Sequence, residues 1–300
     1  MEKIKLSPTL EISRFALGFW RLNEWKMSSA ELLYFIETVL DTGITTFDHA
    51  DIYGDFSCEA LFGEALKRKP ALRQNMQLVT KCGIKPASQK FPERKIGHYD
   101  TGYQHVVGSV EQSLKNFHTD YLDLLLIHRP DPLMNPAETA RAFEELHQSG
   151  KVLNFGVSNF LPADMEMLQA HLSLPLVTNQ IEISPVQLEH FQNGNMAYFL
   201  QKEIHPMAWS PLAGGKLLHP EDEEGRRIHR KLSELAQRKG TENITALTFA
   251  WLLKHPAGII PVLGTRKLQR IREALEAFNI SLSTEEWFEI YIAGLGHRVP

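Results

Sequence analysis

The chain has little cysteine, no long apolar run and no apolar segment at its N-terminus. Its 300 residues include two cysteines, Cys58 and Cys82, which lie far apart and lack the spacing of metal ligands. A disulfide framework is therefore not expected, and a reducing compartment is the natural setting. No apolar stretch approaches the roughly 20 residues that a membrane span needs, and the first residues lack the apolar core of a signal peptide. We expect a cytoplasmic protein.

The sequence also lacks an excess of positive charge. Lys and Arg number 32 against 36 Asp and Glu, which gives a formal net charge of −4. Nucleic-acid-binding domains usually carry a basic excess, so no nucleic-acid partner is expected. The length allows one large α/β barrel or two ordinary domains. Because no linker or low-complexity tract divides the sequence, we predict a single domain over residues 1–300.

Short β-rich segments alternate with helical patterns along most of the chain. Eight segments are apolar on both faces, as buried parallel strands are. They cover residues 15–19, 44–47, 77–80, 122–127, 152–157, 176–179, 205–208 and 259–262. Eight strand–helix units predict a closed (β/α)8 barrel. An open doubly wound sheet is the alternative, but the chain lacks the Gly-x-Gly-x-x-Gly with which such sheets bind dinucleotides.

Two connections between these units are long. Residues 85–101 follow the third predicted strand, and residues 212–226 follow the seventh. Long loops on the active face of a barrel are candidate lids. Surface irregularity is the alternative for both.

Four polar residues follow the ends of three successive predicted strands. Asp48 and Tyr53 follow the second strand, Lys81 the third and His128 the fourth. The C-terminal ends of barrel strands converge on one face, which is the catalytic face of such barrels. Each residue has an ordinary alternative, as a turn residue, a solvated charge or a structural histidine. Their joint placement on neighbouring strand ends favours a catalytic set.

These four residue types can polarise and protonate a carbonyl oxygen. The unperturbed pKa of a tyrosine is roughly 10. A Lys81 ammonium about 4 Å away would lower the pKa of Tyr53 by roughly two to three units before burial opposes it. Tyr53 could then protonate a developing alkoxide. Asp48 would keep Lys81 charged, and His128 would donate a hydrogen bond to the substrate oxygen.

Seven segments of the sequence together resemble the aldo-keto reductase superfamily. Starting at residues 43, 79, 120, 150, 176, 208 and 260, they read GITTFDHADIYG, VTKCG, DYLDLLLIHRPD, GKVLNFGVSN, LVTNQIEISP, AWSPLAGG and IPVLGTRKLQRI. They keep the family's order, and the sequence is similar to the bacterial YdhF-like oxidoreductases. The resemblance implies a barrel that reduces an aldehyde or ketone to an alcohol with NADP(H). It also implies that Asp48, Tyr53, Lys81 and His128 form a catalytic tetrad with Tyr53 as general acid.

The resemblance further assigns contacts to the nicotinamide. Ser158, Asn159 and Gln180 would hold its carboxamide, because side chains that both donate and accept hydrogen bonds suit that group. Trp209 would stack on the nicotinamide ring. A helix cap is the alternative for the Ser158–Asn159 pair, and core packing is the alternative for Trp209.

The remaining cofactor contacts follow the seventh and eighth strands. The resemblance implies that they are Ser210, Leu212 and Gly214 at the pyrophosphate, then Gly264, Thr265, Arg266, Arg270 and Glu273 on the adenosine side. Because arginine pairs well with phosphate, Arg266 and Arg270 are expected to bind the 2′-phosphate, which favours NADP(H) over NAD(H). A solvated helix face is the alternative. Ala274 stands where the family commonly has Asn, so one adenine contact is expected to be missing.

Two other functions share parts of this pattern. A regulatory subunit that senses NADPH would need the cofactor site but not the tetrad, and all four tetrad residues are present. A metal-dependent barrel hydrolase could use Asp48, His49, Asp51 and His128, but the sequence lacks a His-x-His pair. No metal is therefore expected, and the expected partner is a small carbonyl compound.

Overall fold

Strands and helices alternate along the computed structural model, which describes all residues from Met1 to Pro300. The strands are β1 Lys3–Ser7, β2 Leu10–Ser13, β3 Ala16–Gly18, β4 Thr46–Asp48, β5 Gln77–Cys82, β6 Ile84–Lys85, β7 His98–Tyr99, β8 Leu124–Ile127, β9 Phe155–Ser158, β10 Leu176–Glu182, β11 Met207–Trp209 and β12 Ile260–Leu263. The helices are α1 Ser29–Asp41, α2 Tyr53–Phe56, α3 Cys58–Leu66, α4 Tyr103–Phe117, α5 Pro136–Gln148, α6 Pro162–Gln169, α7 Asn195–Lys202, α8 Glu223–Arg238, α9 Ile244–Leu253, α10 Leu268–Leu275 and α11 Thr284–Leu295. None of these helices is both long and apolar enough to cross a membrane.

Eight strands form a closed barrel in the order β3-β4-β5-β8-β9-β10-β11-β12. The predicted (β/α)8 barrel is therefore confirmed, and the open doubly wound sheet is excluded. Each predicted strand has a counterpart in the barrel. The barrel strands are almost wholly buried, as strands are when helices cover one face and barrel side chains fill the other.

The contacts within the chain cluster into two compact units, Met1–Asn179 and Gln180–Pro300. The first unit contains β1 to β9 and α1 to α6, and the second contains β11, β12 and α7 to α11, while β10 contributes to both. The single domain expected from the sequence stays a prediction.

The register of three strands in the first unit aligns their C-terminal ends. Asp48 of β4 lies opposite Val79 of β5, and Lys81 of β5 lies opposite Leu126 of β8. His128 follows β8 directly, and its backbone N–H donates to the carbonyl of Cys82 at 2.8 Å. Lys81 therefore stands two residues beyond the partner of Asp48, and His128 stands two residues beyond the partner of Lys81, on the same rim of the barrel.

Two helices of the second unit were not predicted. The sequence indicated a loop over 212–226, but α8 already begins at Glu223, so the predicted loop is too long. Asp222 Oδ1 caps this helix by accepting from the backbone N–H of Gly225 at 2.8 Å, and acidic residues fill its first turn. Near the C-terminus, Ser283 opens α11 with a capping box.

A histidine of the first unit is buried in an aromatic cage. The His49 ring stacks on Phe19 at 4.8 Å and meets the edges of Phe62 at 4.6 Å and Phe117 at 5.0 Å. Neither ring nitrogen has a hydrogen-bond partner. Burial, reinforced by the nearby charge of Lys81, holds the pKa of His49 well below its ordinary value. The folded protein therefore keeps this ring neutral.

We expect His49→Phe to make the protein less sensitive to acid. In the unfolded chain His49 titrates near a pKa of roughly 6.5, so the unfolded state takes up an extra proton as the pH falls. Through this group the wild type loses up to about 2 kcal/mol of its free energy of unfolding between pH 7 and pH 5, and the variant does not. Urea unfolding at both pH values measures the difference. The same pH dependence in both proteins would contradict the neutral state of His49.

Candidate active site

Lys81 lies at the centre of the candidate site and is fully buried. Its Nζ donates to the two carboxylate oxygens of Asp48 at 2.8 and 2.9 Å and to the backbone carbonyl of His49 at 2.7 Å. It also lies 3.2 Å from Tyr53 Oη. A buried ammonium is tolerated when its charge is paired and its hydrogens are bonded. These contacts meet both conditions.

The partners of Lys81 keep it charged. Burial opposes the charge, but Asp48 and Tyr53 outweigh burial, so the pKa of Lys81 lies above its ordinary value. The site therefore holds a permanent positive charge beside the hydroxyl of Tyr53.

Tyr53 stands between Lys81 and His128. Its ring centroid is 5.0 Å from Lys81 Nζ and 5.9 Å from the ring of His128. Burial raises the pKa of Tyr53 above 10, and the opposing effect of Lys81 does not cancel it. Lys81 lowers this pKa, as expected before burial is counted, but burial outweighs Lys81, because the low polarity around the phenol disfavours its anion more than one ammonium favours it. Tyr53 is thus a protonated phenol at neutral pH.

His128 is a neutral imidazole in this site. Burial, helped by the charges of Lys81 and Arg129, holds the pKa of His128 well below its ordinary value. A neutral imidazole carries one N–H that can donate to an acceptor. The backbone carbonyl of His128 accepts from Asn159 Nδ2 at 3.2 Å. The predicted set of Asp48, Tyr53, Lys81 and His128 is therefore brought together in the first unit.

The chain makes a strained turn directly after Tyr53. Gly54, Asp55 and Phe56 have φ of 59°, 53° and 62°, so α2 is a left-handed turn rather than a regular helix. A Cβ on Gly54 would lie 2.6 Å from Cys58 Sγ, which leaves room only for glycine. For a bulky residue such as Phe56 this conformation costs about 1–3 kcal/mol. Surrounding contacts must therefore hold the turn.

Two further carboxyl groups lie near the tetrad and were not predicted as a set. Glu59 is buried and accepts from Thr80 at 2.6 Å, Ser113 at 2.9 Å and Asn116 at 3.0 Å. Asp51 accepts from Ser109 at 2.8 Å, and burial together with Glu59 raises the pKa of Asp51 to about 8. The one feature of the sequence that pointed to this pair of carboxyl groups was the position of Asp51 between Asp48 and Tyr53.

The ligand set of a metal hydrolase does not assemble. Asp48 is paired with Lys81, and the ring of His49 lies in its aromatic cage. No group of three His, Cys, Asp or Glu side chains in the structure is arranged to hold a metal ion.

In the first unit, two predicted cofactor residues lie at the end of β9. Ser158 is buried, and Asn159 has a left-handed φ of 63°. Asn159 Nδ2 donates to Ser158 Oγ at 2.8 Å. The N-cap position of the next helix, α6, is Leu161, whose backbone N–H donates to Asp164 Oδ2 at 3.1 Å, so the alternative of a helix cap at Ser158–Asn159 is wrong.

In the second unit, the predicted nicotinamide contacts lie on β10 and β11. Gln180 is buried within β10, which continues to Glu182, beyond the predicted end of the sixth strand at residue 179. Trp209 ends β11 and is half-buried, so it is not simply a core residue. Ser210 and Leu212 follow in an irregular turn. Gly214, with φ of 66°, borders open space, since no atom lies within 4 Å of where its Cβ would stand.

The segment after β12 is basic and exposed. Gly264 borders open space, and Thr265 Oγ1 accepts from the backbone N–H of Lys267 at 3.2 Å. Arg266 precedes α10, and Arg270 lies exposed in its first turn. No side chain caps the N-terminus of this helix. Free N–H groups and positive side chains together favour a phosphate.

The last predicted cofactor residue lies further along α10. Glu273 Oε1 accepts from Gln269 at 3.2 Å. Ala274, which stands where the family commonly has Asn, is buried and packs into the second unit.

Known proteins match nearly the whole chain. A family model described as the Aldo/keto reductase family matches residues 14–293. The chain belongs to the aldo/keto reductase family. Uncharacterized oxidoreductase YcsN of Bacillus subtilis is 49% identical over 300 residues, and oxidoreductase YdhF of Escherichia coli is 47% identical over 301, with 100% of both chains covered in each case. The resemblance inferred from the sequence is confirmed.

Two more comparisons bear on reaction and fold. A 6-dehydroglucose reductase of Agrobacterium fabrum is 45% identical over 303 residues, again with 100% of both chains covered. The crystal structure of the thermostable aldo-keto reductase Tm1743, in complex with the inhibitor epalrestat, matches with a TM-score of 0.82 and 27% identity over 98% of this chain and 100% of that chain. Membership of the family supports an oxidoreductase that acts on carbonyl groups with a nicotinamide cofactor.

We expect the loss of Lys81 to be costly because it removes the ammonium that pairs with the buried carboxylate of Asp48. Lys81→Met should lower the free energy of unfolding by about 3–5 kcal/mol. Adding Asp48→Asn should recover part of that loss, since no unpaired charge remains. Urea unfolding of both variants measures the coupling. Lys67→Met is the control, because Lys67 meets Glu64 at 3.9 Å on the exposed surface and should change little. A double variant less stable than Lys81→Met would contradict the pairing.

Proposed function

We propose that this chain is an NADP(H)-dependent reductase that converts an aldehyde or ketone to an alcohol, with Tyr53 as general acid. The observation that carries the proposal is the buried ammonium of Lys81, which bonds Asp48 and lies 3.2 Å from the hydroxyl of Tyr53. When bound, NADPH supplies the hydride that the carbonyl carbon accepts. The residues of the site supply the proton and the binding contacts.

The tetrad is suited to giving a proton to an alkoxide. Tyr53 holds the proton at Oη and releases it as negative charge develops on the substrate oxygen. Lys81 then faces a phenolate, and two opposite charges at 3.2 Å attract by roughly 5 kcal/mol at an effective dielectric of about 20. Asp48 keeps Lys81 in place. Neutral His128 donates a hydrogen bond to the same substrate oxygen.

The protonation state of Tyr53 favours reduction over oxidation. Reduction needs a phenol that holds its proton until the alkoxide forms, and an alkoxide is a stronger base than a phenolate. Oxidation of an alcohol needs the phenolate instead, and the raised pKa of Tyr53 makes that form scarce at neutral pH. The site is therefore proposed to work as a carbonyl reductase.

The resemblance to the family assigns the NADPH contacts residue by residue, and the chemistry of these side chains suits the assignment. Ser158, Asn159 and Gln180 offer amide and hydroxyl groups for the carboxamide, and Trp209 offers an aromatic face for the ring. Ser210, Leu212 and Gly214 are proposed to line the pyrophosphate, where Gly214 leaves open space at its Cα. Gly264, Thr265 and Glu273 are proposed to bind on the adenosine side.

The basic segment around α10 supports NADPH rather than NADH. Arg266 and Arg270 stand at the uncapped N-terminus of this helix, and a 2′-phosphate gains from both the side chains and the helix dipole. Each charged hydrogen bond of this kind contributes about 1.5–3 kcal/mol. NADH lacks the phosphate and gains none of this.

A sugar aldehyde is the substrate to test first. The relative from Agrobacterium fabrum is named a 6-dehydroglucose reductase and is 45% identical over the full length. We propose that polyhydroxylated aldehydes belong at the head of a panel that also holds simple aldehydes, diketones and quinones.

Tyr53→Phe should bind NADPH as the wild type does but lose nearly all carbonyl reduction. The change removes the proton and keeps the ring. Fluorescence titration measures NADPH binding, and NADPH oxidation with the aldehyde panel measures turnover. Wild-type turnover in the variant would contradict the role of Tyr53 as general acid. Tight NADPH binding by the wild type without turnover of any carbonyl would instead favour a sensor.

Arg270→Ala should weaken NADPH binding by roughly 10- to 100-fold, as the loss of a charged hydrogen bond predicts, and should leave NADH binding nearly unchanged. Arg272→Ala is the matched control, because Arg272 is an exposed arginine of the same helix outside the proposed phosphate site. Dissociation constants from fluorescence titration give both effects. Equal weakening of the two cofactors would contradict the 2′-phosphate role.

A further inference from the structure

The loop that follows Lys81 in sequence folds back onto the turn that follows Tyr53. Beyond β5, strands β6 and β7 pair in antiparallel fashion, with Lys85 opposite His98. Lys85 and Asp100 close the base of this hairpin with an ion pair at 3.0 Å. Residues 88–94, here called the clamp loop, form its tip. One segment therefore connects the strand of Lys81 to the turn after Tyr53.

Polar contacts from the clamp loop fix the middle of the left-handed turn. Ser88 Oγ donates to Asp55 Oδ1 at 2.6 Å, and Lys90 Nζ donates to the backbone carbonyl of Asp55. Ser88 and Phe91 are joined by a backbone bridge that shapes the loop itself. The contacts hold both the side chain and the backbone of Asp55, two residues from Tyr53.

Aromatic contacts fix the end of the same turn. The ring of Phe91 meets that of Phe56 edge to face at 4.9 Å. The guanidinium of Arg94 lies 3.6 Å from the centroid of Phe91 and 5.8 Å from that of Phe56, and the Arg94 side chain is only 14% exposed. Phe56 is the bulky residue with positive φ, so these contacts hold the conformation that its own backbone disfavours.

The contact between Lys81 and Tyr53 is the longest of the hydrogen-bonding contacts around Lys81. Lys81 Nζ is 2.7 to 2.9 Å from its acceptors on Asp48 and His49 but 3.2 Å from Tyr53 Oη. Asp48 lies on a barrel strand, whereas Tyr53 begins the strained turn. Its position therefore depends on what restrains that turn.

We propose that the clamp loop is a positioning device for the proton donor: Ser88, Lys90, Phe91 and Arg94 hold the turn at 54–56 and so set the distance from Tyr53 to Lys81. The inference rests on the proposed role of Tyr53. The four clamp residues touch the turn and act on the reaction through it. Residues 85–101, which the sequence offered as a candidate lid, would then position Tyr53.

The test compares two lysines of one loop. Lys90→Met, Ser88→Ala and the double variant remove the polar contacts to Asp55, and Lys95→Met removes the same charge from an exposed position just after the clamp loop. Misplacement of a reacting group by a fraction of an ångström lowers the rate. We expect kcat for aldehyde reduction to fall about tenfold in the double variant, with the affinity for NADPH unchanged and the protein still folded at the assay temperature. Lys95→Met should match the wild type.

Two further readouts separate positioning from a merely structural role. With Lys81 less close, the phenol becomes a weaker acid, so the alkaline limb of the pH–rate profile should move to higher pH in the clamp variants and not in Lys95→Met. In the Tyr53→Phe background, the double clamp variant should lower the residual rate no further, because the group it positions is gone.

The outcomes are distinguishable. Unchanged kcat in the double variant, or an equal further loss in the Tyr53→Phe background, would overturn the clamp while leaving the proposed function intact. Wild-type turnover in Tyr53→Phe alone would overturn the proposed function itself. If the double variant unfolds, the two single variants, which remove the two polar contacts to Asp55 separately, decide the question.

Discussion

The site depends on one buried ammonium. Lys81 can be charged inside the protein only because Asp48 pairs with it and the backbone carbonyl of His49 accepts a further hydrogen. That arrangement requires β4 to end at Asp48 and β5 to lie beside it in the observed register. It also requires the chain to turn at once, so that Tyr53 returns to Lys81. The strained backbone of Gly54 to Phe56 follows Tyr53 directly.

Burial sets the charge state of the other groups. Tyr53 keeps its proton, His128 and His49 stay neutral, and the pKa of Asp51 rises to about 8. The ammonium of Lys81 is the fixed positive charge closest to the phenol. A site of this kind is prepared for negative charge that appears during a reaction, since donors and charge are already in place and need no rearrangement.

The sequence predicted much of the fold and the position of the tetrad, because apolar strands of a barrel put their C-terminal ends on one rim. It did not predict the direction of the pKa shift of Tyr53. Sequence spacing places Lys81 near the phenol but does not say how little water reaches it. The turn at Asp55 and Phe56 was also unpredictable, because tertiary contacts rather than local preference hold non-glycine residues at positive φ. Helix α8 was not predicted, and its cap residue, Asp222, lies within a segment that the sequence indicated as a loop.

The central claim is that Tyr53 is a buried phenol that keeps its proton beside a charged Lys81. The ultraviolet absorbance of tyrosinate, recorded against pH for the wild type and for Tyr53→Phe, tests it most directly, because the difference between the two curves is the ionisation of Tyr53. The account predicts that this ionisation lies above pH 10. An ionisation near neutral pH would contradict it, since Lys81 would then outweigh burial and the site would hold a phenolate.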